Sequence, residues 1–331
     1  MSFISFPAQT TTACSQPKVA TLPNDYGSFG SINVSRQVTP NPDANAPLPV
    51  SVFLPATATG ANRAPVIFFA HGFNGVDYRF YEDLLRQLAS RGYAVVFVPY
   101  SGTGTNASRY DQLWAGFQKA VQQFGTVLDT TRAGFAGHSY GGGATPELAR
   151  RGANAGWGAN GLFIFTMAAW YNWGTNMEQI PAAAKLVVQV YWDDSFNDPL
   201  ISQNDVWNRL PQITERKWQV IRSDAGFCSL DATHFTPITS TGDTGSNNTN
   251  AQDYWGIWRR LHALADYTFG GSQAARSVAF GTDSQTGRWR SRPKPLAPLE
   301  ASDTPVVNIA NNYVWRWSMR CTAADPGTNC P

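Results

Sequence analysis

Short apolar runs alternate with amphipathic segments through the middle of the chain, and this alternation restricts the fold more than any other feature. Apolar runs occupy 64–72, 93–99, 132–137, 161–165, 185–192 and 217–223. Segments with helical spacing of apolar residues occupy 79–92, 111–124 and 252–269. Continuous apolar runs are typical of strands buried on both faces. The pattern therefore predicts an α/β fold with a mostly parallel central sheet flanked by helices.

The two ends of the chain lie outside this alternation of apolar and amphipathic segments. Residues 1–45 form a polar, Pro-rich N-terminal arm that leads into an early strand at 49–55. A C-terminal extension from 278 to 331 has a Pro-rich connector and then strand-like sequence, which we expect to pack against the early strands. No internal repeat or mid-chain linker divides the 331 residues, so we predict a single domain with its core at about 50–270.

The composition excludes several classes of protein. Charged residues make up only 15% of the chain and the net charge is +2, which gives no case for a nucleic-acid partner. A basic cluster surrounds Trp289, and we interpret it as a solvated connector; it comprises Arg288, Arg290, Arg292 and Lys294. No apolar run approaches the ~20 residues of a membrane span. We expect a monomer.

The four cysteines suggest a framework of two disulfides. Cys321 and Cys330 bracket a short loop rich in turn-forming residues and are expected to pair, which leaves Cys14 for Cys228. The alternative is four free thiols in a cytosolic enzyme. The low charge and several Asn-x-Ser/Thr stretches favour a secreted or periplasmic protein, although the N-terminus lacks the pattern of a signal peptide.

A serine stands between glycines where a predicted strand meets a predicted helix. The stretch "GHSYG" at 137–141 has the pattern Gly-x-Ser-x-Gly, and two more glycines follow it. A sharp strand-to-helix turn of this kind exposes a serine hydroxyl at the edge of the sheet. A plain Gly-rich turn is the alternative interpretation. The context of strand before and helix after predicts Ser139 as a nucleophile.

Only four histidines compete for the role of its base. His71 precedes the serine, His138 is its immediate neighbour with a side chain expected to point away, and His262 lies within the late helix. His234 lies in the loop after the last buried strand, where the base belongs when the chain order is serine, acid, histidine. His234 is therefore the predicted general base.

Three aspartates follow the apolar run at 185–192 and compete to orient that base. They are Asp193, Asp194 and Asp198 in "WDDSFNDP". Asp198 is suited to capping a helix that starts near Leu200.

An oxyanion needs two backbone N–H donors, which we assign to Tyr140, directly after the serine, and to Phe73 in the loop after the strand at 64–72.

The stretches "HGF", "GHSYGG", "WDDSFNDP" and "THF" together resemble the α/β-hydrolase superfamily over roughly residues 50–270. They resemble most its lidless, cutinase-like branch, which includes bacterial polyester hydrolases and has dienelactone hydrolases and chlorophyllases nearby. The resemblance implies that the acid precedes a proline in this loop, and Asp194, five residues before Pro199, is the nearest match. It also implies that a tryptophan flanks the substrate, here Trp170 with Trp173 as the alternative. The chain departs from the branch in having His138 in place of Trp, one extra residue before Pro199, and the long extension.

The connection between the sixth and seventh strands, residues 166–184, is too short for a helical cap. We therefore expect an open groove suited to extended or polymeric esters; its predicted lining is Phe73, Tyr140, Trp170, Trp192 and Phe235. No metal-ligand spacing or phosphate-binding loop occurs, so no cofactor is expected.

The sequence thus predicts a serine hydrolase of carboxylic esters with the triad Ser139, His234 and Asp194. An amidase, thioesterase or acyltransferase with the same triad is the alternative, followed by an inactive relative that serves as a binding module.

Overall fold

The computed structural model describes residues 22–224, 230–240, 249–282, 297–308 and 312–322. The strands within these ranges are β1 Val34–Thr39, β2 Val50–Pro55, β3 Ala64–Ala70, β4 Ala94–Phe97, β5 Leu128–His138, β6 Leu162–Met167, β7 Lys185–Tyr191, β8 Arg216–Ile221 and β9 Glu300–Ser302. The helices are α1 Glu82–Ser90, α2 Asn106–Phe124, α3 Tyr140–Asn154, α4 Pro199–Ser202, α5 Arg259–Gly270 and α6 Gln273–Ala279. Two π-helical turns lie at Gln203–Trp207 and Gln252–Trp258.

All of these strands belong to one sheet with the order β1-β2-β4-β3-β5-β6-β7-β8-β9. The strands from β4 to β8 in this order pair in parallel, and the pairs β1–β2, β2–β4 and β8–β9 are antiparallel. This mostly parallel sheet flanked by helices confirms the predicted fold class. Parallel pairing also brings the carboxyl ends of β3, β5, β6, β7 and β8 to one edge, where the loops that follow them meet.

Helices cover both faces of the sheet. Phe68 of β3 packs with Phe117 of α2 and Leu148 of α3 in one core, whereas Phe69 packs with Leu84 of α1 in the other. α5 and α6 join the second core. Successive residues of a strand point to opposite faces, so β3 contributes to both cores. This is why its sequence reads as a continuous apolar run.

Strand β1 lies within the segment predicted to be a polar arm. Of its six residues only Thr39 is buried, because β1 is an edge strand that pairs with β2 alone.

Helix α2 begins earlier than predicted, at Asn106, where the Thr105 hydroxyl caps it by accepting a hydrogen bond from the Ser108 N–H at 3.1 Å. The predicted helix at 252–269 starts with a π-helical turn before α5.

The prediction that the C-terminal extension packs against the early strands is wrong for its described part. β9 pairs with β8, at the edge of the sheet opposite to β1. The nearby Trp218 indole N–H also donates to the Val306 carbonyl at 2.9 Å.

Cys321 is disulfide-bonded. Cys14, Cys228 and Cys330 lie outside the described residues, so both predicted pairings stay predictions.

Candidate active site

Ser139 lies on a strained turn between β5 and α3. Its backbone has φ 54° and ψ −119°, in the left-handed half of conformational space that non-glycine residues rarely adopt. The turn is possible because the residues two positions before and two positions after Ser139 lack side chains. A Cβ on Gly137 would lie 2.4 Å from the Gly141 carbonyl oxygen, and a Cβ on Gly141 would lie 2.1 Å from the Ala70 carbonyl oxygen. The glycines therefore let α3 start directly against the end of β3.

The loop after β3 approaches the same point. A Cβ built on Gly72 would lie 3.3 Å from the Ser139 Cβ, so the backbone next to Phe73 passes within contact distance of the serine. Tyr140 is the first residue of α3, at the end where helix N–H groups point outward. Both predicted oxyanion donors thus belong to segments that border Ser139. Their role as donors stays a prediction.

The structure brings Ser139, His234 and Asp194 together from three different loops. Ser139 Oγ lies 2.9 Å from His234 Nε2, and Asp194 Oδ2 lies 2.8 Å from His234 Nδ1. A carboxylate oxygen only accepts hydrogen bonds, so Nδ1 carries the ring hydrogen and Nε2 accepts one from the serine hydroxyl. His234 is 4% exposed and Asp194 is 7% exposed, whereas Ser139 is partly accessible.

The loop after β7 is folded around the Asp194 carboxylate. Its second oxygen, Oδ1, accepts the N–H groups of Phe196 at 2.7 Å and Asn197 at 2.9 Å. Asp193 is exposed, and Asp198 caps α4 by accepting the Leu200 N–H at 2.9 Å, as predicted. Among the competing aspartates, Asp194 is the one that contacts His234.

His138 links the base to the loop after β3. Its Nε2–H donates to the His234 carbonyl at 2.8 Å, and its Nδ1 accepts from the Tyr81 hydroxyl at 2.8 Å. The Tyr81 oxygen in turn accepts the Gly72 N–H at 3.1 Å. Every group in this chain of hydrogen bonds is satisfied when His138 is neutral. Burial, and then the neighbouring His234 ring, hold the pKa of His138 well below 6.5.

Sequence reasoning missed the roles of Tyr81 and Phe196 in this site. The Phe196 ring stacks on His234 with centroids 5.2 Å apart and an interplanar angle of 22°. Tyr81 was visible only as one apolar position of a helical pattern. The sequence does carry a signal for Phe196. A residue two positions after Asp194 in a short loop is expected to lie near His234, which Asp194 contacts.

The aromatic residues predicted to line a groove differ in exposure. Phe73 is 46% exposed, whereas Trp170 is 9% and Tyr140 is 3% exposed. The Arg109 guanidinium carbon lies 5.3 Å from the Phe73 ring centroid and 5.6 Å from that of Tyr140. Trp173 is buried, and Trp192 and Phe235 are partly exposed. Phe73 is thus the most exposed of these residues, and contact of Tyr140 and Trp170 with a substrate stays a prediction.

Three buried histidines make stability depend on pH. Burial lowers the pKa of His71 to about 4 and that of His262 to about 3, and it lowers the pKa of His138 as well. When the chain unfolds, each of these rings regains a pKa near 6.5 and takes up a proton as the pH falls. The stabilisation is fully present above about pH 6.5 and is lost as the pH falls towards the folded-state pKa values.

Each proton that the unfolded chain binds in excess of the folded chain contributes about 1.4 kcal/mol per pH unit. With three such histidines, we expect the free energy of unfolding to fall by up to about 4 kcal/mol per pH unit around pH 5. Urea unfolding between pH 7.5 and 5 measures this slope. His262 lies away from Ser139, in α5. His262→Gln should therefore reduce this slope by about 1.4 kcal/mol per pH unit, the contribution of one proton. Equal stability at pH 7 and pH 5 would contradict the burial of neutral histidines.

Two features are absent from the described residues. No helix there is long and apolar enough to cross a membrane. Within the same ranges, no three or more His, Cys, Asp or Glu side chains are grouped so that they could hold a metal ion.

Comparison with known protein families gives a match over most of the chain. The sequence model of the alpha/beta hydrolase family matches residues 67–327, which include Ser139, Asp194 and His234. A search of curated proteins found no match to the chain.

Proposed function

The chain belongs to the α/β-hydrolase family, and from this membership we propose that it hydrolyses carboxylic esters through an acyl-enzyme on Ser139. Hydrolase activity follows from the family. The assignment of an acyl-enzyme on Ser139 rests on one observation, the continuous hydrogen-bonded chain from Ser139 Oγ through both nitrogens of His234 to Asp194. A serine hydroxyl is a weak nucleophile until a positioned base takes its proton.

Acylation starts with the attack of Ser139 Oγ on the ester carbonyl carbon. His234 Nε2 takes the hydroxyl proton as the bond forms, and Asp194 holds the ring and stabilises its charged form. The carbonyl oxygen becomes an oxyanion, which accepts hydrogen bonds from the N–H groups of Phe73 and Tyr140. His234 then gives its proton to the leaving alcohol, and Ser139 keeps the acyl group.

Deacylation repeats these steps with water. His234 Nε2 takes a proton from a water molecule, whose oxygen attacks the acyl carbon. The second oxyanion lies in the same place as the first, and His234 returns the proton to Ser139 Oγ as the acid leaves. Because His138 stays neutral, no second positive charge lies beside the imidazolium that forms at each step.

Access to Ser139 supports extended esters as substrates. Residues 168–184 between β6 and β7 are all described, and their only helical element is the 3-10 turn Met177–Gln179. They form no helical cap. The partly exposed Phe73 next to the site offers apolar surface for a chain that continues beyond the ester. We therefore include polymer-borne esters in the proposed substrate class.

A panel of p-nitrophenyl esters of rising acyl length, together with a polyester film, tests this proposal. We expect hydrolysis of the soluble esters, with a rate that rises smoothly with concentration through the solubility limit, because the described residues 168–184 form no cap that has to open. Release of soluble acids from the film would extend the activity to polymers.

Two outcomes of this panel would contradict the proposal. Turnover of p-nitrophenyl thioesters or anilides without turnover of the matched esters would favour a thioesterase or amidase. A sharp increase in rate at the solubility limit would show that a segment covers Ser139 in solution.

A further inference from the structure

The described C-terminal residues 312–322, here called the strap, run alongside the loop that carries Asp194. Trp315 forms a parallel bridge with Asn197. The Val314 N–H donates to the Ser195 carbonyl at 3.0 Å, and the Trp315 N–H donates to the Phe196 carbonyl at 2.7 Å. Through these backbone hydrogen bonds the strap pairs with the loop after β7 in the manner of a short extra strand.

The bonds continue to the end of that loop. The Asp198 N–H donates to the Trp315 carbonyl at 2.9 Å, and the Trp317 N–H donates to Asp198 Oδ2 at 3.1 Å. The Tyr171 hydroxyl also donates to the Arg316 carbonyl. The strap therefore contacts the loop from Ser195 to Asp198.

The same loop residues hold the Asp194 carboxylate from the other side. Phe196 and Asn197 donate their N–H groups to Asp194 Oδ1, whereas the Phe196 carbonyl accepts from the strap. A displacement of the loop thus moves the donors that fix Asp194, and with them the hydrogen bond to His234 Nδ1. Misplacement of a catalytic group by about 1 Å can lower a rate 10²-fold.

Arg320 anchors the far end of the strap in the protein interior. It is 4% exposed, and its Nε lies 2.9 Å from both carboxylate oxygens of Asp205. Another of its nitrogens donates to the Asn172 carbonyl at 2.6 Å, and its guanidinium carbon lies 4.4 Å from the Trp173 ring centroid. Removal of one partner of such a buried pair leaves the other charge uncompensated, so loss of Arg320 removes the anchor at this end of the strap.

We propose that the strap is a positioning element of the active site, in which Arg320 and the backbone of Val314–Trp317 hold the loop that carries Asp194. This inference rests on the proposed function. Arg320 acts through Asp194, so its loss should lower kcat and leave the binding of the ester nearly unchanged.

The test is a double-mutant cycle in the full chain with a soluble p-nitrophenyl ester. Arg320→Ala should lower kcat by about 10-fold to 100-fold with KM changed less than about twofold. In the Asp194→Asn background the same substitution should cause no further loss beyond about twofold, because the group it positions is already gone. Arg63→Ala is the matched control, since Arg63 is exposed, lies before β3 and outside the strap, and should leave kcat unchanged.

A second pair of variants covers the case in which Arg320→Ala does not fold, as judged by thermal unfolding. Trp317 is the first residue of a 3-10 turn, where proline is tolerated, so Trp317→Pro removes the N–H that bonds Asp198 together with the indole ring. Trp317→Ala removes the ring and keeps that N–H. We expect a lower kcat for Trp317→Pro than for Trp317→Ala.

Turnover by the unmodified chain reports on the proposed function, and the ratios between variants report on the strap. A folded Arg320→Ala protein with unchanged kcat would overturn the inference, as would a full multiplicative loss in the Asp194→Asn background. If Arg320→Ala does not fold, equal kcat values for the two Trp317 variants would overturn it.

Discussion

Ser139→Ala is expected to lower kcat for ester hydrolysis by about 10⁶-fold, in line with the loss of a nucleophile from other serine triads. The substitution removes the only atom that Ser139 offers to the carbonyl carbon. It leaves the packing of the turn in place, since alanine has the same Cβ. Initial rates with a p-nitrophenyl ester, together with the thermal unfolding midpoint, measure both effects.

Ser195→Ala is a matched control for this substitution, because Ser195 is an exposed serine in the adjacent loop. Its rate should stay within about twofold of the unmodified chain, since exposed side chains away from the reacting atoms rarely contribute. A Ser139→Ala protein that kept a tenth of the activity would contradict the assignment of the nucleophile.

Asp194→Asn is expected to lower kcat by about 10⁴-fold with little change in fold, the loss known for the equivalent substitution in other triads. An asparagine presents an N–H group where His234 Nδ1 needs an acceptor. The ring then adopts the tautomer with its hydrogen on Nε2, which cannot take the proton of Ser139. Steady-state kinetics at a pH where the unmodified chain is fully active provide the measurement.

Asp193→Asn and Asp198→Asn are the controls from the same loop. Asp193 is exposed, and asparagine at position 198 keeps the helix cap but loses the carboxylate oxygen that accepts the Trp317 N–H. Both variants should lose far less activity than Asp194→Asn. If either control were the inactive variant, a different aspartate would orient His234 in solution.

The central strands were predictable from the sequence because most of their residues are buried and apolar, as in β3, β4 and β6. β1 was not predictable in this way, since as an edge strand it buries only one residue and its sequence, "VSRQVT", looks polar. β9 has three residues, and its pairing with β8 depends on chain segments far apart in the sequence. A local pattern carries no information about such a contact.

The candidate site shows the same division. Ser139, His234 and Asp194 were found from their order and from the strand ends that precede them, because parallel strands bring their carboxyl ends to one edge. The partners of His138 and the stacking of Phe196 on His234 depend on the directions of side chains in loops. The strap was missed for a further reason, since its contacts with the loop of Asp194 are made by backbone groups that every residue carries.

Covalent labelling with a fluorophosphonate is the most direct test of the central claim that Ser139 is the activated nucleophile. Cleavage after Arg132 and Arg150 gives a peptide of residues 133–150 in which Ser139 is the only serine. We predict a single adduct on this peptide, at Ser139, and none in the Ser139→Ala protein. An adduct on a different serine, or equal labelling of the Ser139→Ala protein, would contradict the proposed mechanism.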